Sequence, residues 1–131
     1  MREIKFRAWD SESEIMIYSD KPEGDYWWEL QPKAQIGCIV GVSEGNTFEP
    51  PEPIVEYITE IMQFTGLLDK NGKEIYEGDI VENEFGKKIV KWADGGFYCE
   101  EEKTIMRIYF WLLTLDKIEV IGNIYENPDL L

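Results

Sequence analysis

The sequence predicts a mainly β fold, with a small barrel in the C-terminal half and an N-terminal β lobe packed against it. Three observations carry this. The opening residues "REIKFRAW" alternate charged and apolar side chains, the period-two pattern of a half-buried strand. Beyond Gly66 the chain breaks into short β-rich runs separated by Gly, Asn and Asp, a spacing that suits a small barrel. With 44% hydrophobic and 14% aromatic residues, 131 positions supply one core, or two small lobes that share it.

In the first strand Ile4, Phe6 and Ala8 face one way, and Glu3, Lys5 and Arg7 the other. "DSESE" is a polar turn, and "IMIY" returns as the second arm of a hairpin. The signal then weakens. "DKPEGDYWWELQPK" mixes turn residues with Trp27 and Trp28, and "AQIGCIVGV" reads as a buried strand despite its glycines. "EGNTFEPPEP" gathers Pro50, Pro51 and Pro53, which lack ladder donors, so it is expected to be a linker or rim. It sets the expected boundary between a lobe of residues 1–53 and a barrel lobe of residues 54–131, the two folding as one cooperative unit. "IVEYITEIMQFTGLL" fits two readings. Ile54, Tyr57, Ile58 and Ile61 share a helical face, whereas Thr59, Ile61, Phe64 and Thr65 favour a strand. "KEIYEGDIVEN", "KKIVKW" and "GFYCEE" are three further strand runs, and "IYFWLLTL" is a buried strand or short helix. "KIEVIGNIY" closes the chain with Ile118, Val120 and Ile124 on one face, and Gly122 leaves room for another backbone.

The most chemical-looking stretch is "DKNGKEIYEGDI", which begins at Asp69. Read as a calcium loop, it places Lys73 where an oxygen ligand is required, Glu74 where the sharp turn needs Gly, and Ile80 where a bidentate Glu belongs. A turn fits every residue. Asp69 opens a type I turn, Lys70 and Asn71 occupy its centre, and Gly72 supplies the positive φ of a bulged three-residue hairpin loop. A two-residue Asn-Gly turn would instead set Lys70 opposite Lys73, a like-charge pair.

Composition narrows the chemistry. The chain has no histidine, which removes the commonest general base and the Ser–His and Cys–His nucleophile systems. Its two cysteines, Cys38 and Cys99, are too far apart in sequence for a zinc site without histidine and are expected as reduced thiols. No apolar run reaches membrane-spanning length, and the charged N-terminus is not a secretory leader, so a cytosolic protein is expected. Twenty-seven acidic against 13 basic residues give a net charge of −14, which repels nucleic acid and anionic lipid. No metal and no cofactor is expected.

Three blocks, "MREIKFRAWD", "MQFTGLLDKNGKEIYEGDIV" and "IEVIGNIYENPDLL", occur at the start, centre and end of the chain. In that order they resemble the YopX family of phage and prophage proteins. Residues 19–55 and 84–116 carry no such strings. The resemblance implies a mostly β structure whose C-terminal part is an SH3-like barrel, and a phage or prophage origin in a bacterial host cell. It implies no reaction and no catalytic residues.

Two constellations are candidate sites. Lys87, Lys88 and Lys91 interleave with aromatic and apolar residues up to Trp92, a pattern able to bind single-stranded nucleic acid by backbone attraction and base stacking. Glu82, Glu84 and the three glutamates at 100–102 oppose that attraction, so direct nucleic-acid binding is not expected. Trp27 and Trp28 point to opposite faces of an extended segment, which leaves one available to anchor a protein partner. An acidic DNA mimic is the remaining alternative. A domain of this size is about 35 Å across, and a duplex presents about twenty phosphates over that length. The 27 acids diluted by 13 bases fall short of that density, so mimicry is partial at most. The expectation is a non-enzymatic module that binds a phage or host protein. Homo-oligomerisation is compatible with the same composition.

Overall fold

The computed structural model describes residues 3–21, 26–29, 35–58, 60–101, 107–109 and 117–131. Among these residues the secondary structure is twelve strands and a closing 3-10 turn, Pro128–Leu130, so the protein is mainly β. It divides into two compact units, Lys5–Ile61 and Met62–Leu131, the second joined by Met1–Ile4.

The first unit opens with β1 (Phe6–Asp10) and β2 (Ile15–Tyr18), an antiparallel hairpin in which Arg7 pairs with Tyr18 and Asp10 with Ile15. Asp10 organises the turn, its Oδ1 accepting from the Glu12 and Ser13 amides and its Oδ2 from the Tyr26 hydroxyl. Although partial burial raises its pKa, these hydrogen bonds hold the carboxyl below the usual range. A three-stranded antiparallel sheet follows in the order β3 (Tyr26–Glu29), β4 (Gln35–Val42), β5 (Pro53–Ile58). Ala8 of β1, Ile17 of β2 and Ile36 of β4 form the buried cluster of this unit, with Tyr26, Trp28, Ile58 and Ile61 packed around them.

The alternation expected in the first strand is not realised as inside and outside. Ile4 lies ahead of β1 and is 65% exposed, whereas Lys5 and Arg7 are buried. The Lys5 ammonium lies 3.7 Å from Asp20, a carboxylate that offsets part of the cost of burying a cation. The proline-rich segment, residues 43–52, is the tip joining β4 to β5, with Val42 paired to Pro53 across its base.

In the second unit, β6 (Ile61–Leu68) pairs with β7 (Glu74–Tyr76) around the Asp69 turn. The ambiguous "IVEYITEIMQFTGLL" therefore contributes two strands, β5 laddered to β4 and β6 to β7, with Glu60 between them. The helical face is a coincidence of spacing among β-branched and aromatic residues, which suit a pleated surface.

A five-stranded antiparallel sheet completes the unit: β8 (Asp79–Asn83), β9 (Gly86–Ala93), β10 (Gly96–Glu100), β11 (Arg107–Tyr109) and β12 (Glu119–Asn123). Its spatial order is β11-β10-β9-β8-β12. The β9–β10 hairpin turns on Asp94 and Gly95, both at positive φ, as the right-handed strand twist favours. Ile75, Val81, Val90, Cys99, Ile118 and Val120 are the core, flanked by Leu67 and Phe97. Of "IYFWLLTL", Ile108 and Tyr109 belong to β11, and the rest of the run lies outside the described residues. Gly122 does face a close neighbour, but it is the Asn127 side chain rather than a second backbone.

Candidate interaction surfaces

The Asp69 loop is a turn, and its polar groups serve the backbone. Gly72 N donates to Asp69 O and Asp69 N to Lys73 O, while Gly72 sits at φ 78°, so Lys70, Asn71 and Gly72 form the expected three-residue loop. The Asp69 carboxylate is buried. Its Oδ1 accepts from the Asn71 and Lys73 amides, both at 2.8 Å, and its Oδ2 accepts from Val120 N on β12 at 2.9 Å. Burial alone would raise this carboxyl. The three amides, aided by the Lys73 charge, hold it below the usual carboxylate range. Sequence reasoning found the turn and missed its second attachment: Lys70 N donates to Ile118 O, and Lys70 pairs with Glu119. Among the described residues no group of carboxylates and thiols has the arrangement of a metal site.

The three lysines of β9 do not all share one surface. Lys88 is only 2% exposed, its ammonium donating to Asn83 Oδ1 at 3.1 Å with Glu101 at 3.8 Å. Alternation along β9 sends Lys87 and Lys91 the other way. Lys87 donates to the Leu130 carbonyl, and Lys91 pairs with Glu100 at 3.1 Å across β10. Trp92 packs edge-on to Phe97 with ring centroids 4.6 Å apart. We expect no measurable binding of single-stranded DNA or RNA at physiological salt by fluorescence anisotropy. Micromolar, steeply salt-dependent binding abolished in a Lys87, Lys88, Lys91→Ala variant would refute this.

Both cysteines are free thiols. Burial pushes the Cys99 thiol up to about 12, although the Lys88 charge pulls the other way. Burial, with the nearby charges of Asp10, Glu56 and Glu12, also raises Cys38. Neither offers a thiolate nucleophile near neutral pH.

Trp27 and Trp28 do lie on opposite faces of one sheet. Trp28 pairs with Ile36, which pairs with Ile58, and this row belongs to the buried cluster. Trp27 pairs with Gly37, which pairs with Tyr57, and this row lies on the outer face. Gly37 is what seats the indole, since a Cβ there would fall within 2.7 Å of Trp27 Nε1. Tyr57 meets Trp27 edge-on, with ring centroids 6.5 Å apart at an interplanar angle of 83°. Tyr57 is 48% exposed, and Val55, two residues before it on the same face, is also exposed. In the sequence Tyr57 shares a helical face with Ile54, Ile58 and Ile61, one of the two readings of that stretch. Nothing in the local pattern says which face of β5 is covered, because that depends on its pairing with β4.

A comparison with curated proteins finds no match. Among solved structures, protein EF1440 from Enterococcus faecalis is 30% identical, with 100% of this chain and 99% of that one covered at a TM-score of 0.57. Protein yopX from Bacillus subtilis is 24% identical over the same shares of the two chains, with a TM-score of 0.59, a likeness of fold. The family model described as YopX protein matches residues 5–131, including the stretches 19–55 and 84–116 that carry no recognisable strings. With the match running from the strand that opens the first unit to the turn that closes the second, this chain belongs to the YopX family.

Proposed function

We propose that this protein is a non-enzymatic accessory protein of a phage or prophage that works by binding another protein in the bacterial cytoplasm. The observation that carries this is the outer face of the β3-β4-β5 sheet. There Trp27 and Tyr57 form a fixed aromatic pair beside exposed Val55. Aromatic residues held in one geometry supply large contact area at little entropic cost, and such residues dominate binding energy at interface centres. Against a catalytic role stand the missing histidine, the raised thiols and an Asp69 carboxylate whose oxygens are engaged by backbone amides.

The test is affinity capture from a lysate of the bacterial host, followed by mass spectrometry, with wild type and Tyr57→Ser compared side by side. A partner retained by wild type and depleted about tenfold or more by Tyr57→Ser is the expected result. Equal retention by both, or no partner, would refute the assignment. Tyr57 is half in solvent, so its substitution is expected to leave the melting temperature within a few degrees of wild type.

A further inference from the structure

We propose that the tip of the β4–β5 hairpin is a docking knob that inserts Phe48 into an apolar pocket rimmed by Lys and Arg on the partner protein. This inference rests on the protein-binding reading above and names the chemistry of the partner. Phe48 is 93% exposed. Leaving such a ring in water forgoes the gain that burying apolar surface brings. Val42 and Ile54 near the base of the tip are also exposed.

The ring is displayed from a fixed loop. Ser43 N donates to Glu52 O at 2.8 Å, and Glu52 N donates back to Ser43 Oγ at 3.0 Å, closing the base. Further out, Asn46 N donates to Glu49 O, while Asn46 Oδ1 accepts from the amides of Phe48 and Glu49 at 2.8 and 3.0 Å. Gly45 lets the loop fold onto itself, since a Cβ there would lie 2.6 Å from the Pro51 ring. A loop ordered before binding loses little conformational entropy when it docks.

Charge selects the occupant. The hairpin from Gln35 to Ile58 carries Glu44, Glu49, Glu52 and Glu56 and no Lys or Arg, a net −4 from four acids and no base. A second copy of this chain, at −14, is repelled, and so are nucleic acid and anionic membrane. A cationic protein surface is attracted, and the carboxylates around Phe48 match a basic rim about an apolar pocket.

The experiment pans a random peptide display library against the full-length protein and measures the recovered peptides by titration. Recovered peptides are expected to be net positive with a cluster of apolar residues. Phe48→Ala should weaken them about tenfold or more without changing the melting temperature. Replacing Glu44, Glu49 and Glu52 with Gln should weaken them and flatten the dependence of affinity on salt. Neutral or acidic peptides, an empty selection, or peptides that bind Phe48→Ala as tightly as wild type would overturn the proposal. Peptides that lose affinity with Tyr57→Ser but not with Phe48→Ala would remove the knob while leaving the aromatic face standing. Peptides indifferent to both substitutions would remove both.

Discussion

Replacing Asp69 with Ala is expected to lower stability by about 2–3 kcal/mol in denaturant titration, because the buried Val120 amide stranded without its acceptor costs about 1–3 kcal/mol and two part-buried turn amides lose theirs as well. The amides concerned belong to Asn71, Lys73 and Val120, so the loss falls on the turn and on β12 together. Asp69→Asn should be milder, since its one amide oxygen can still serve the turn while its NH2 group confronts the Val120 donor. The sign with pH follows from the lowered folded-state value. The contribution of the carboxylate is present in full above the ordinary unfolded value near 3.9 and is lost as pH falls through the lower folded value. The acid limb of stability against pH should therefore be shallower in Asp69→Asn than in wild type. Calcium should leave the melting temperature of wild type unchanged. A calcium-dependent rise of several degrees, or an Asp69→Ala variant as stable as its parent, would mean that the loop has another role.

A second large effect is expected at Gly78, and Gly72 provides its control. Both glycines sit in the left-handed region, at φ 86° and 78°. A Cβ at Gly72 meets nothing within 4 Å, so Gly72→Ala should cost only the backbone penalty, about 1 kcal/mol. At Gly78 a Cβ would lie 2.9 Å from the sulfur of Met62, itself buried. Gly78 also donates to Val90 O and accepts from Ile124 N, which ties its backbone to two further segments. Gly78→Ala should therefore cost about 2–4 kcal/mol, the same conformational penalty plus that of overpacking. Equal losses at the two sites would show that Met62 moves aside freely.

Local chemistry was legible in the sequence, and pairing was not. The Asp69 turn could be read residue by residue because Asp, Asn and Gly have distinct conformational roles within a few positions of each other. The β1–β2 hairpin and the runs that became β8, β9 and β10 were visible for a similar reason, as alternation bounded by turn residues. What failed was any inference that needed to know what covers a strand. Lys88 sits in a run of lysines that looks solvated, yet its neighbours across the ladder, Val81 among them, place it on the inner face. Lys5 and Arg7 misled in the same way. The proline-rich segment reads as a linker or a rim because prolines cannot donate to a ladder, and of the two it is a rim, the tip of the β4–β5 hairpin. The outer aromatic face was half legible: the opposed tryptophans were foreseen, whereas Tyr57 depended on a register that only β4 supplies.

The place of β12 in its sheet has a consequence for how the chain reaches its native state. β8, β9 and β10 follow one another through tight turns and can zip up as they emerge from the ribosome. The strand that covers the other edge of β8 is made after these three, with Val120 pairing back to Val81. The Asp69 turn waits for the same segment, since its amide and carboxylate take hold of residues 118 and 120. Contacts of such long sequence separation slow folding, because loop closure must precede any gain. During synthesis β8 is therefore an open edge next to apolar Ile80 and Val81, the kind of template on which nascent chains pair with one another. β12 acts as a clasp, and until it closes the strong negative charge of the chain opposes association of neighbouring copies.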